Sequence, residues 1–230
     1  MEPVLFLPGF MSDVRLFGPQ VDVMSRHRPV QIAPLFGLDT VRDMAQRVLE
    51  SAPERFALVG ASLGGMVAME VLRRAPERVT RLALIATDAL AESPGIAAAR
   101  EGMMTRARAG RLDDAMAEAV PVAALAPGPE RGAICDLVRE MGRAAGAEAF
   151  QSQSRAMQRR PDQQGTLRRI SVPCVVICGE CDTLMPPRRH QLLSDLIPRA
   201  HLVVLEEAGH LPSLEKPGEM QDILEAWLTL

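Results

Sequence analysis

Residues 58–65 read LVGASLGG: two apolar residues, then a single serine, Ser62, set between Gly60 and the Gly64–Gly65 pair. The apolar run beginning at Phe56 reads as a strand buried on both faces, and the stretch after Ser62 reads as a helix that ends before Pro76. A strand that turns into a helix over so few residues forces a tight bend. Side chains two before and two after the central residue would collide there, so both positions go to glycine. A serine held in that bend has a strained backbone and a hydroxyl that projects away from the sheet.

Working outward from this stretch, further short Val/Leu/Ile runs lie at 3–7, 30–33, 82–86, 172–178 and 201–205. They show little strict alternation, which suits a parallel sheet covered on both sides. Helical patterns fall between most of them, at 14–26, 40–50, 63–74 and 187–196, with a last helix at 217–228. Thr40 and Asp43 supply a capping-box-like start to the second, and Pro187 and Pro217 sit where a first helical turn accepts proline. The expectation is an α/β fold: a doubly wound, mostly parallel sheet of about six strands, with helices on both faces. One interval breaks the rhythm. The residues from 88 to 170 contain no strand pattern and are rich in Ala, Arg, Glu and Met. Short amphipathic helices at 96–108, 112–119, 131–142 and 147–159, punctuated by Pro121, Pro127, Pro129 and Pro161, form an expected helical lid after the fourth strand. The chain then divides into core (1–87), lid (88–170) and core (171–230).

Composition narrows the partners. A net charge of −3, with both signs spread along the chain, gives neither a nucleic-acid footprint nor a polybasic membrane stretch. With six Phe, one Trp and no Tyr, stacking platforms are scarce, so the core must be aliphatic, helped by 13 Met. No run approaches the ~18 apolar residues of a membrane span, and the N-terminal MEPVLFLPGF lacks the basic start of a signal peptide. Four cysteines in 230 residues make no disulfide framework. A soluble cytoplasmic protein acting on a small molecule, without cofactor or metal, is the expectation.

A nucleophilic serine needs a base and a group to orient that base. Of the four histidines, His27 ends a helix beside Arg26 and Arg28, His190 starts a helix beside Arg188 and Arg189, and His201 opens a strand. All three read as structural or solvated. His210 differs, because it follows the last strand in EEAGHLPSLEKP, at the strand's carboxyl end where such sheets build their sites. The orienting carboxylate has two candidates, each after a strand: Asp182 in CGECDTLMPP and Asp88 in IATDAL. Both satisfy the chain order Ser, Asp, His. Two backbone donors should face a developing oxyanion: the N–H of Leu63, and one from the loop LPGFMSD, with Phe10 the first choice and Met11 the second. Cys178-Gly-Glu-Cys181 is a C-x-x-C, but it follows a strand rather than opening a helix and has no second ligand pair nearby, so redox or metal chemistry is not expected of it.

The elbow GASLGG, the loops LPGF and GECD, and AGHLPSLEKP together resemble a small esterase-like α/β-hydrolase over the whole chain. The resemblance implies Ser62, Asp182 and His210 as a triad, Asp182 over Asp88, and hydrolysis of a small carboxylic ester. It equally covers members that use the serine on thioesters or C–C bonds, or as a base for elimination on an anionic substrate. A non-catalytic binder on the same scaffold is a third reading, which the intact triad argues against. The chain departs from the family's pattern in having Pro8-Gly9 where a His-Gly pair is common. It also begins at what resembles the family's third strand, which implies six parallel strands. Ser62 stands where dehalogenases and epoxide hydrolases carry Asp.

Overall fold

The computed structural model describes residues 1–230. Six strands form one sheet: β1 (Val4–Leu7), β2 (Val30–Ile32), β3 (Phe56–Ala61), β4 (Val79–Ile85), β5 (Cys174–Gly179) and β6 (Ala200–Leu205). Their order is β2-β1-β3-β4-β5-β6 and every pairing is parallel. The four central strands are almost wholly buried. Their continuous apolar runs follow from that, since a strand covered on both faces has no polar side.

The connecting helices are α1 (Gly18–Met24), α2 (Val41–Ser51), α3 (Leu63–Arg74), α4 (Pro94–Arg108), α5 (Leu112–Ala119), α6 (Arg131–Gln158), α7 (Gln164–Leu167), α8 (Pro187–Leu196), α9 (Pro212–Glu215) and α10 (Pro217–Thr229). Right-handed crossovers dictate which face each covers. The step from β1 to β2 runs the opposite way along the sheet from all later steps, so α1 lies on one face, where it packs on α10. The helix α2 packs on α3 across the other face. Because the chain reverses direction at β1, the carboxyl ends of β1 and β3 border a crevice.

Four helices, α4 to α7, lie between β4 and β5, and the first three pack on one another. The expected helices at 131–142 and 147–159 are the two arms of α6, divided at Gly146, whose φ of 82° only glycine adopts cheaply. The expected helix at 14–26 is instead a 3₁₀ turn, Val14–Phe17, followed by α1. The Asp13 carboxylate accepts from Arg15 N–H and sets the first turn, and Pro19 restarts the helix. Strand β4 starts three residues earlier than expected. Strand β5 starts two later, at the residue after Pro173. No helix is long and apolar enough to cross a membrane.

Candidate active site

Ser62 sits between β3 and α3 with φ 50° and ψ −116°, a left-handed backbone that costs a non-glycine residue about 1–3 kcal/mol. The neighbouring glycines allow it. A Cβ on Gly60 would stand 2.5 Å from the Gly64 carbonyl oxygen, and one on Gly64 would overlap the Leu7 carbonyl at the end of β1. The turn is then tied down from both sides. Ser62 N–H donates to Ile85 O of β4 (2.9 Å), and Thr87 Oγ1 donates to Ser62 O (2.7 Å).

His210 reaches this serine from the loop after β6. Its Nε2 lies 3.2 Å from Ser62 Oγ, and its Nδ1 lies 2.8 Å from Asp182 Oδ2. Asp182 comes from the loop after β5, and its other oxygen, Oδ1, accepts from the N–H groups of Leu184 and Met185, both at 2.9 Å. An ionised carboxylate only accepts, so Nδ1 carries the proton and the Nε2 lone pair faces the serine hydroxyl. All three side chains are buried. Asp88, the other candidate partner, is buried too but pairs with Arg189 and accepts from Leu90 N–H. The structure therefore brings Ser62, His210 and Asp182 together and leaves Asp88 outside the chain of hydrogen bonds.

The expected backbone donors differ in their partners. Leu63 is the first residue of α3, so its N–H has no partner within the helix and lies at the positive end of the helix dipole. In the loop after β1, Met11 has φ 52°, and its N–H donates to Gln153 Oε1 at 2.7 Å. The Phe10 N–H makes no hydrogen bond within the protein. Of the two expected candidates, Phe10 is thus the unoccupied donor.

Three supports around the site carried no signal in the sequence. Gln153, fully buried in α6, also donates from Nε2 to Leu35 O (3.1 Å), so a helix of the insertion holds the Phe10–Met11 loop. Glu215 accepts from Ala126 N–H (2.8 Å), Gly209 N–H (2.9 Å) and Leu211 N–H (2.8 Å), which fixes the loop carrying His210. His210 N–H itself donates to Ala124 O at 2.7 Å, again within the insertion. His190, fully buried in α8, accepts Thr87 N–H at Nε2 (3.0 Å). Burial pushes its pKa down to about 4 against the opposing pull of Asp182. It is a neutral structural histidine, while His27 and His201 are exposed. Cys178 lies within β5, where burial and then the Asp182 charge push its thiol up to about 12, so it is no thiolate at neutral pH. A cavity of about 360 Å³ opens over Ser62 and His210, lined by Phe10, Met157, Leu184 and Met185 among others.

A six-stranded parallel sheet carrying a serine elbow after β3 and a histidine after the last strand defines an α/β hydrolase, and residues 4–222 match the alpha/beta hydrolase family. The chain belongs to this family and is an enzyme of that class. It is similar to the pimeloyl-(acyl-carrier protein) methyl ester esterase of Klebsiella pneumoniae subsp. pneumoniae, at 31% identity over 206 residues, covering 84% of this chain and 77% of that protein. The protein of the same name from Aeromonas hydrophila subsp. hydrophila is 28% identical over 187 residues, covering 79% and 74%. Among solved structures, a thermophilic esterase from Thermogutta terrifontis superimposes with a TM-score of 0.90 at 25% identity, over 100% of this chain and 90% of that one.

Proposed function

We propose that this protein is a cytoplasmic serine hydrolase that cleaves a small carboxylic ester through Ser62, His210 and Asp182. The observation that carries the reading is the unbroken chain from Ser62 Oγ through the His210 ring to Asp182 Oδ2. The esterase names of its relatives support the bond type. In the first half-reaction His210 Nε2 takes the hydroxyl proton as Ser62 Oγ attacks the acyl carbon. The oxyanion that forms accepts from Leu63 N–H and Phe10 N–H, each donor worth about 3 kcal/mol. The imidazolium, stabilised by Asp182, then protonates the departing alkoxide and leaves an acyl-serine. A water, deprotonated by His210, releases the carboxylic acid by the same steps in reverse order. Residues 88–170 act as a lid whose inner face shapes the acyl pocket, over a core formed by 1–87 and 171–230.

The test pairs labelling with kinetics. A fluorophosphonate probe should modify the wild type and not Ser62→Ala, and a series of p-nitrophenyl esters should lose measurable turnover in the same variant. Wild-type turnover in Ser62→Ala would refute the mechanism.

A further inference from the structure

The cavity over Ser62 has an unusual wall. Alongside its apolar residues it carries three arginines, Arg100, Arg188 and Arg189, against one carboxylate, Glu92. Arg189 is neutralised by the buried Asp88. Arg100 has to share its carboxylate with a second guanidinium, and Arg188 has none.

Arg100 projects from α4, and its side chain is only 8% exposed. Its Nε and Nη2 hold Glu92 at 3.0 and 2.8 Å, and its guanidinium carbon lies 5.8 Å from the centre of the Phe10 ring. Glu92 is shared. Arg160, 4% exposed, reaches the same carboxylate at 2.7 Å and is otherwise turned to the carbonyls of Leu90 and Met157. Burial raises the Glu92 pKa, but the hydrogen bonds and charges of the two guanidiniums outweigh it and keep the carboxylate ionised. Two buried guanidiniums thus face a single carboxylate, which leaves one positive charge without a counter-charge in a poorly solvated place. A buried charge of this kind is costly unless something pairs it. Arg100 is the member that lines the cavity, and its Nη1 bonds no protein atom. Arg188, exposed at the same cavity, makes no ion pair or hydrogen bond.

We propose that the ester cleaved here carries a free carboxylate at its far end, received by Arg100 and Arg188, so that the substrate class is the half-ester of a dicarboxylic acid. The guanidinium's flat fork matches a carboxylate, and the apolar residues that line the same cavity, Ile96, Val120, Met157 and Leu184, suit a methylene chain. The inference rests on the hydrolase reading above and sharpens it to a substrate.

Two measurements separate the two claims. Binding is read without chemistry in Ser62→Ala by titration calorimetry with monomethyl glutarate, monomethyl adipate and monomethyl pimelate, against methyl alkanoates of matching length. The half-ester of best length should bind at least about tenfold more tightly than its neutral counterpart, as a charge-assisted pair requires. That margin should shrink as salt rises, and Arg188→Gln in the same background should remove most of it. Arg100→Gln should do the same if circular dichroism shows it folded, and Arg188→Gln, at an exposed position, carries the test if it is not. Turnover is read in the wild type as the ratio of kcat/KM between half-ester and neutral ester, which should fall in Arg188→Gln mainly through KM. Equal binding of charged and neutral esters, or a preference untouched by both substitutions, would overturn the inference. Absence of turnover on every ester would refute the hydrolase reading while the binding result still decides the subsite.

Discussion

Replacing His190 by glutamine isolates one buried group whose ionisation the fold opposes. The His190 ring accepts Thr87 N–H at Nε2, and Thr87 in turn donates its hydroxyl to Ser62 O. Protonating the ring would remove that acceptor and bury a charge. Burial therefore lowers the pKa from 6.5 to about 4, even though Asp182 and Asp88 nearby favour the charged form and His210 opposes it. Linkage sets the direction of the pH effect. Above 6.5 the ring is neutral in both folded and unfolded chains and imposes no penalty. As the pH falls below 6.5 the unfolded chain takes up a proton that the folded one refuses, so stability is lost until the folded ring titrates near 4. The full span corresponds to about 3 kcal/mol, of which about 2 kcal/mol is lost between neutral pH and about pH 5. In His190→Gln the new side chain would place an amide oxygen near the former Nε2 and keep an acceptor for Thr87, with no proton to gain. Urea unfolding of both proteins at about pH 7.5 and about pH 5 measures the difference. His190→Gln should lose about 2 kcal/mol less than wild type over that interval. Identical losses would mean that other groups carry the acid sensitivity and that His190 is not the neutral ring described.

Asp182→Asn should lower kcat by about four orders of magnitude, because an amide cannot hold the His210 tautomer. Asp88→Asn, which frees Arg189, should cost less than about tenfold, and p-nitrophenyl acetate kinetics on both variants checks the contrast. Gln153→Leu strands the Met11 N–H and the Leu35 carbonyl in the interior and should destabilise the protein by about 2–4 kcal/mol in chemical denaturation. Where it folds, it should lower kcat more than it raises KM, since a displaced Phe10 N–H is felt by the oxyanion and not by the bound ester.

The parts of the site that were legible in the sequence are those whose physics is local. Gly60 and Gly64 are dictated by atoms within a few residues or at the end of one strand, so LVGASLGG announces its bend. His210 could be placed because a loop after a strand must emerge at the sheet's carboxyl edge. Asp88 and Asp182 satisfied the same condition after neighbouring strands, and only the three-dimensional arrangement puts one beside His210 and the other beside Arg189. Gln153, Glu215 and Glu92 were invisible for a related reason. Each acts on groups 4 to 142 residues away through hydrogen bonds or ion pairs that no pattern or period encodes. The helix break at Gly146 was legible as a gap, whereas the 3₁₀ turn before α1 arose from the Asp13 side chain competing for a backbone donor.

The insertion meets the rest of the molecule at the loops that carry His210 and Phe10. Its Ala124 carbonyl receives His210 N–H, its Ala126 N–H shares Glu215 with the histidine loop, and its Gln153 grips the Phe10–Met11 loop. Lifting such a segment as a hinged flap would break these hydrogen bonds and release the His210 loop and the Phe10–Met11 loop in the same motion. The proposed hydrolase should therefore show no jump in activity at an oil–water interface. Heating or denaturant should also find no separate cap to melt first, since the proposed catalytic centre is the seam at which the two parts cohere.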